Sequence, residues 1–352
     1  MRRLITGAVA LALTAGLTIA PVAAQDEASE AVFSDEVLEC AQDLRIFHVP
    51  KFTGFIFFEL AREGVNRAAA EFGAAEPVYI GPDKADTQQQ VQVIQNIIPQ
   101  QPDVIVLASL DLNALSPSLK EARDNGAVVV TYDADVSADA RDLFTNMMTF
   151  PQQAQAMLDS ALVNDAAGGT AIWLAPTPTT ANFISQKAAI DELIAADPEK
   201  YGNIEFIDTL FMEDDPELSK RVATDAMAAN PDLKYFISGS GMANPAVNQA
   251  IIDTGNSGDV YATGFALPST MLTYLEDGTN KQYALWNPVD FGYLATVAGV
   301  LKKCGAIEGA DGETFVGGTL GERTIGNEGE IVLGVPMFFT PECPDFDSCP
   351  AS

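Results

Sequence analysis

Short runs of apolar, largely β-branched residues alternate along the chain with longer stretches whose apolar positions recur every three to four residues. RIFHVPK (45–51), PVYIGP (77–82), DVIVLASL (103–110) and AVVVTYDADV (127–136) read as strands. The stretches between them read as helices: one ends near Phe72, one covers DTQQQVQVIQNIIPQ, and one begins near Leu115 and Ser116. Strands that are apolar throughout belong in a parallel sheet covered on both faces. After FTNMMTF the alternation restarts with AIWLAP (171–176), IEFIDTLF (204–211), YFISGS (235–240), YATGFAL (261–267) and YALWNP (283–288). The pattern predicts a two-lobed α/β protein. No Pro-, Gly- or Ser-rich tract separates the two sets, so a close hinge is expected rather than a long linker.

Ligands of parallel sheets sit beyond the carboxyl ends of the strands. The residues there are Lys51 and Phe52, Asp83, Ser109 and Asp111, Asp133 and Asp135, and 177–183 with Thr180, Asn182 and Phe183. In the second half they are 240–244 with Ser240 and Met242, then Leu267, Trp286, Asn287 and Asp290. The set is polar and interleaved with aromatics. In IFHVPKFTGFIFFELAREG a single lysine precedes Phe52, Phe55, Phe57 and Phe58, which fits either a core-facing helix or the wall of a site.

The N-terminus changes the picture of where the chain works. MRRLITGAVALALTAGLTIAPVAAQ carries two arginines, an apolar stretch and small residues at Val22 and Ala24, the form of a secretory signal cleaved before Gln25. Removal of Arg2 and Arg3 leaves 17 Lys and Arg against 49 Asp and Glu, a charge of −32. So acidic a chain lacks the basic face that nucleic acid or an anionic membrane requires. Cys40, Cys304, Cys343 and Cys349 can pair in three ways in an oxidising compartment. With one histidine, His48, and no Cys-x-x-Cys, structural disulfides are expected in preference to a metal site.

No P-loop, Gly-x-Gly-x-x-Gly opening a helix, or Gly-x-Ser-x-Gly elbow is present. Asp133 and Asp135, two apart at a strand end, should share a face. They suit a pair of hydroxyl acceptors better than an acid and base, which would need a set separation and one raised pKa. The expectation is a binding protein rather than an enzyme, with no cofactor and no metal.

PKFTGFIFF, VVTYDADV, VYATGFALPSTMLTYLEDGT and YALWNPVDFG, the last leading into a helix ending in LKK, occur in this order. Together they resemble type I periplasmic solute-binding proteins of ABC importers, above all the rhamnose-binding and autoinducer-2-binding branch, over residues 45–340. The resemblance implies two Rossmann-like lobes with parallel sheets joined by a hinge. It divides the chain into a signal peptide (1–24), an N-terminal lobe (34–146 with 287–312) and a C-terminal lobe (147–286 with 313–352). It implies that Lys51 and Asp133 contact ligand oxygens, that Phe57 and Phe58 wall the ring, and that Asp290 stands where such proteins place a hinge residue on a ligand hydroxyl. Thr180 and Ala181 replace the Asp-Gln pair of the autoinducer-2 binder, Gly239 and Gly241 replace its Pro-x-Ala, and Ala266 replaces the aspartate of a common Gly-Phe-Asp.

The expected role is therefore capture of a neutral pentose, deoxyhexose or polyol in the periplasm by hinge closure, as a monomer delivering to an inner-membrane ABC permease. The alternative is presentation of autoinducer-2 or a sugar signal to a membrane receptor. Asp133, Asp135 and Asp290 would accept hydroxyls, Lys51 would donate, and Phe52, Phe57, Phe183 and Trp286 would cover the ring, with Thr180, Asn182, Ser240, Met242 and Asn287 completing the site.

Overall fold

The computed structural model of the chain describes residues 33–349, and the expected signal, 1–24, lies outside them. The first half runs α1 (Asp35–Ala41), β1 (Ile46–Val49), α2 (Ile56–Glu71), β2 (Val78–Tyr79), α3 (Thr87–Ile97), β3 (Val104–Leu107), α4 (Ser116–Asp124), β4 (Val128–Tyr132) and β5 (Leu143–Asn146). The second runs α5 (Phe150–Asn164), β6 (Gly169–Ala175), α6 (Ala181–Ala196), α7 (Pro198–Tyr201), β7 (Ile204–Phe211), α8 (Pro216–Ala229), β8 (Leu233–Ser238), α9 (Ala243–Asp253), β9 (Tyr261–Gly264) and α10 (Pro268–Glu276). There follow β10 (Tyr283–Leu285), α11 (Pro288–Lys303), β11 (Thr314–Val316), β12 (Glu322–Thr324), β13 (Glu330–Val332) and β14 (Met337–Phe339).

The apolar runs form two parallel sheets, except YALWNP, whose β10 pairs antiparallel with β14 in a separate two-stranded sheet. The first has the order β13-β5-β4-β3-β1-β2 and the second β7-β6-β8-β9. Every residue of β1 and β3 is buried, because helices cover both faces. Helix starts are set by local chemistry. Thr149 and Gln152 close a reciprocal capping box on α5, while Asp86, Asp215 and Asn287 cap α3, α8 and α11, with Pro at the first turn of the last two.

The chain crosses between the lobes three times: after β5, after β10, and between β13 and β14. After the second crossing α11 returns to pack on α2 and against β3 and β4. Gly64 lies against the backbone of Val289 and Gly292 against that of Ala61, so a Cβ at either would overlap the facing helix. The two glycines let α2 and α11 meet backbone to backbone, and this fixes the aromatic start of α2 against the segment after β10.

Two segments differ from the sequence reading. LFTN (143–146), not read as a strand, is β5. Residues 313–352, assigned to the C-terminal lobe, divide: β13 pairs in parallel with β5 at the edge of the first sheet, where the Asn146 side-chain amide donates to Glu330 at 2.7 Å. Only from β14, antiparallel to β10 in a separate two-stranded sheet, does the chain return to the second lobe. The run of apolar residues in GEIVLG is too short to signal a strand, and pairing with the open edge of β5 supplies what the pattern lacks.

Of the three possible cysteine pairings the structure contains Cys40–Cys304 and Cys343–Cys349. The first ties α1 to the end of α11. His48 is a packed residue in β1, its Nε2 2.7 Å from the Tyr132 hydroxyl. Burial, aided by the charge of Arg62, lowers its pKa to about 3, so it is a neutral imidazole.

Candidate functional site

The strand ends of the two lobes face one another across a space of about 490 Å³, measured with its mouth. From the first lobe, β1 runs through Pro50 into Lys51, whose side chain is only 5% exposed, and the end of β4 delivers Asp133. Lys51 Nζ lies 2.8 Å from Asp133 Oδ2. Asp133 has φ +62°, a left-handed backbone uncommon outside glycine. That turn breaks the two-residue alternation of the strand.

The aromatic cluster after Lys51 is the wall of this space. Phe52 and Phe55 stack with ring centres 5.7 Å apart, and Phe57 meets Trp286 edge to face at 5.8 Å. Trp286 is held in turn by Phe265 and Phe291, at 5.2 and 5.8 Å. Edge-to-face packing of this kind fixes ring orientation as well as burying area. The indole Nε1 of Trp286 and Oδ1 of Asn182 are buried without a hydrogen-bond partner, and both residues line the space. Unpaired buried polar atoms carry a desolvation cost that a hydrogen-bonding ligand removes.

From the second lobe come Asn182 and Phe183 at the start of α6, Asp214 after β7, Gly239, Ser240 and Gly241 after β8, and Leu267 after β9. Ser240 Oγ donates to Asp214 Oδ1 at 2.8 Å and accepts from the amides of Met242 and Ala243. Burial pushes the Asp214 carboxyl above its usual range; the Lys51 charge and the Ser240 hydrogen bond oppose the shift, and the Asp133 charge adds to it. The lobes also touch beside the space. The Phe55 ring lies against Gly241, where a Cβ would come 3.6 Å from Cζ. The Asp111 carboxyl, although partly buried, is held below its usual range by the amides of Asn113 and Ala114 and by the Thr179 hydroxyl of the other lobe.

Eight of the thirteen residues expected to form the site line the space: Lys51, Phe52, Phe57, Asp133, Asn182, Phe183, Ser240 and Trp286. The others lie elsewhere. Asp135 does not share a face with Asp133, because the left-handed turn at 133 sends it back to Arg141, whose guanidinium grips both carboxylate oxygens at 2.8–3.1 Å, and to Thr131. Asp290 is bound to Arg67 at 3.1 Å, and Asn287 spends its side chain capping α11 through the Val289 amide. Thr180 hydrogen-bonds to Thr177 at the side of an adjoining space that also reaches Lys51 and Asp214, and Met242 lines the mouth.

Phe58, implied as part of the ring wall, and Leu267, read among the strand-end residues, line the space as well, together with Phe55, Gly239 and Gly241; Asp214 and Leu285 line it without having been selected. Asp214 was legible in principle. It follows IEFIDTLF, and the rule that ligands gather past strand ends applies to β7 as to the rest, but MEDD reads as a solvated acidic turn. Among the described residues no group of three or more His, Cys, Asp or Glu is placed to hold a metal ion, and no helix is long and apolar enough to cross a membrane.

Residues 46–305 match the family model described as a periplasmic binding protein domain. A solved sugar ABC transporter protein from Actinomyces odontolyticus is 35% identical, over 85% of this chain and 96% of that one, with a TM-score of 0.69. An ABC transporter solute-binding protein from Clostridium phytofermentas, solved with bound L-rhamnose, is 28% identical over the same shares, with a TM-score of 0.79. The D-ribose/D-allose-binding protein of Pseudomonas aeruginosa is 26% identical over 209 residues, 56% of this chain and 61% of that protein's length.

Proposed function

We propose that this chain, which belongs to the periplasmic binding protein domain family, is the periplasmic solute-binding component of an ABC transporter and closes on a small neutral sugar or polyol. The observation that carries this is the Lys51–Asp133 pair, buried beside the Phe52, Phe55 and Phe57 wall and Trp286 in a space lined from both lobes.

The pair offers charged partners of both signs to a ligand that has both donors and acceptors. An ammonium donates to a ring or carbonyl oxygen, and a carboxylate accepts a hydroxyl proton. Hydrogen bonds to charged groups contribute about 1.5–3 kcal/mol each, and leaving one buried group unpaired costs a comparable amount. Selectivity for a particular hydroxyl arrangement follows from that penalty. The rings cover the apolar face of a pyranose or furanose, while Asn182 and Trp286 supply an acceptor and a donor with no competing partner within the protein.

Closure is a hinge motion that a solute drives by contacting both lobes at once. With Phe55 against Gly241 and Asp111 beside Thr179, the structure has the lobes in contact, as in a closed form, the form a permease in the inner membrane would read. The similarity to a rhamnose-bound and a ribose/allose-binding protein supports the sugar class. The test is a thermal-shift screen of the mature chain against pentoses, hexoses, deoxyhexoses, polyols and autoinducer-2, since a ligand of the native state raises the melting temperature by mass action. Stabilisation by one sugar or polyol and not by its epimers is expected. Stabilisation by autoinducer-2 alone, or by none of the panel, overturns the substrate class.

A further inference from the structure

Asp214 lies partly buried at the interlobe space with only a serine hydroxyl as its hydrogen-bonding side-chain partner. Its backbone is unusual as well. Glu213 and Asp214 are consecutive non-glycine residues in the left-handed region, with φ +55° and +50°. Such conformations are costly and persist where the surroundings over-determine them. Here the Met212 and Glu213 amides donate to the carbonyls of Ala175 and Pro176, and Asp215 is fixed as the cap of α8. The turn so held carries Asp214 into the space rather than out to water.

The charges around this space do not balance. Lys51 is the one cationic side chain lining it among the described residues, and its ammonium is engaged by Asp133. Asp214 faces that pair from the other lobe as a second carboxylate. The adjoining mouth adds Asp83, Glu213 and Asp215 against Lys84.

We propose that Asp214 sets the class of ligand: it accepts a hydroxyl from a neutral polyhydroxylated solute on the second-lobe side and excludes solutes bearing a carboxylate or phosphate. The inference rests on the sugar-binding reading and deepens it. A hydroxyl donates to Asp214 and gives a partly buried acceptor a further partner. An anion of the same shape sets a like charge against Asp214 with no second cation lining the space among the described residues, a repulsive element of the kind that builds specificity.

The test is calorimetry of wild type, Asp214→Asn and Ser240→Ala with L-rhamnose, D-ribose and D-allose, and with D-ribonate and D-galacturonate as anionic counterparts. Wild type is expected to bind a neutral sugar and neither acid. Asp214→Asn, nearly isosteric and uncharged, should weaken the neutral sugar about 10-fold or more and narrow its margin over the acids. Ser240→Ala, which frees the Asp214 carboxylate without removing its charge, should keep the acids excluded; it preserves the test if the Asn variant does not fold. Binding of a neutral sugar by Asp214→Asn within twofold of wild type, or of an acid by wild type as tightly as the sugar, overturns the role of Asp214 alone. Failure of every neutral sugar with wild type overturns the sugar reading beneath it.

Discussion

Lys51 Nζ lies 2.8 Å from Asp133 Oδ2, a buried ion pair that joins the ends of two strands between which a third, β3, runs. The pair is a structural element of the first lobe before it is a ligand contact. Lys51→Met leaves a carboxylate at 133 without its cation and should lower the unfolding free energy by about 3 kcal/mol, read by urea denaturation. A loss below about 1 kcal/mol would show that solvent already screens the pair.

Asp135 should behave oppositely to Asp133. Its carboxylate holds Arg141, whose side chain is 5% exposed, and lies outside the interlobe space. Asp135→Ala leaves that guanidinium uncompensated and should cost about 3 kcal/mol of stability. Ligand affinity, measured by calorimetry below the melting temperature, should stay within about threefold of wild type; a larger loss would return Asp135 to the site.

His48 gives the acid limb of stability a component that can be isolated. Its folded-state pKa is depressed to about 3, against 6.5 for the free side chain, by burial and then by Arg62. The unfolded chain takes up this proton below pH 6.5 and the native chain does not. The stabilisation is therefore complete above that pH and is lost as pH falls toward 3, at about 1.4 kcal/mol per pH unit. The slope between pH 4 and 6 should flatten by that amount in His48→Phe. As the only histidine, its ring resonances can be followed directly. A titration midpoint near 6.5 in the native protein would contradict the burial.

The disulfides should differ in weight. Cys40–Cys304 spans 264 residues and Cys343–Cys349 spans 6. Loop-closure entropy in the unfolded chain gives about 5.6 kcal/mol for the first and about 2.2 kcal/mol for the second. Paired Cys→Ser variants, compared by denaturant unfolding, check the order. Equal losses would mean that α1 detaches locally without opening the rest of the fold.

Where the chain alternates cleanly, the sequence is a sufficient guide. β1, β3, β4, β7, β9 and β10 fall within runs visible in the sequence, and β6 and β8 overlap theirs, beginning two residues earlier; the inner strands are apolar because both faces are covered, while β7 is a half-exposed edge strand. β5 and β13 escaped because polar residues interrupt their short apolar runs, and Asn146 and Glu330 meet only across 184 residues of sequence. At the site, Lys51, Asp133, Phe57 and Trp286 follow from strand ends and aromatic crowding. Asp135 and Asp290 misled because an acidic residue near a strand end looks the same whether it faces a ligand or an arginine. Only the third dimension supplies Arg141 and Arg67. Asp214 hid behind two charged neighbours, in a turn whose left-handed backbone has no glycine to announce it.

The central claim is that a neutral sugar or polyol is bound between the lobes by the Lys51–Asp133 pair. Calorimetric titration of wild type and Asp133→Ala with the sugar most stabilising in the thermal screen tests it most directly. The account predicts a saturable 1:1 isotherm for wild type and a loss of about 100-fold or more for the variant, because one charge-assisted bond disappears and Lys51 is left buried and unpaired. Affinity within a few-fold of wild type in a folded Asp133→Ala would contradict it.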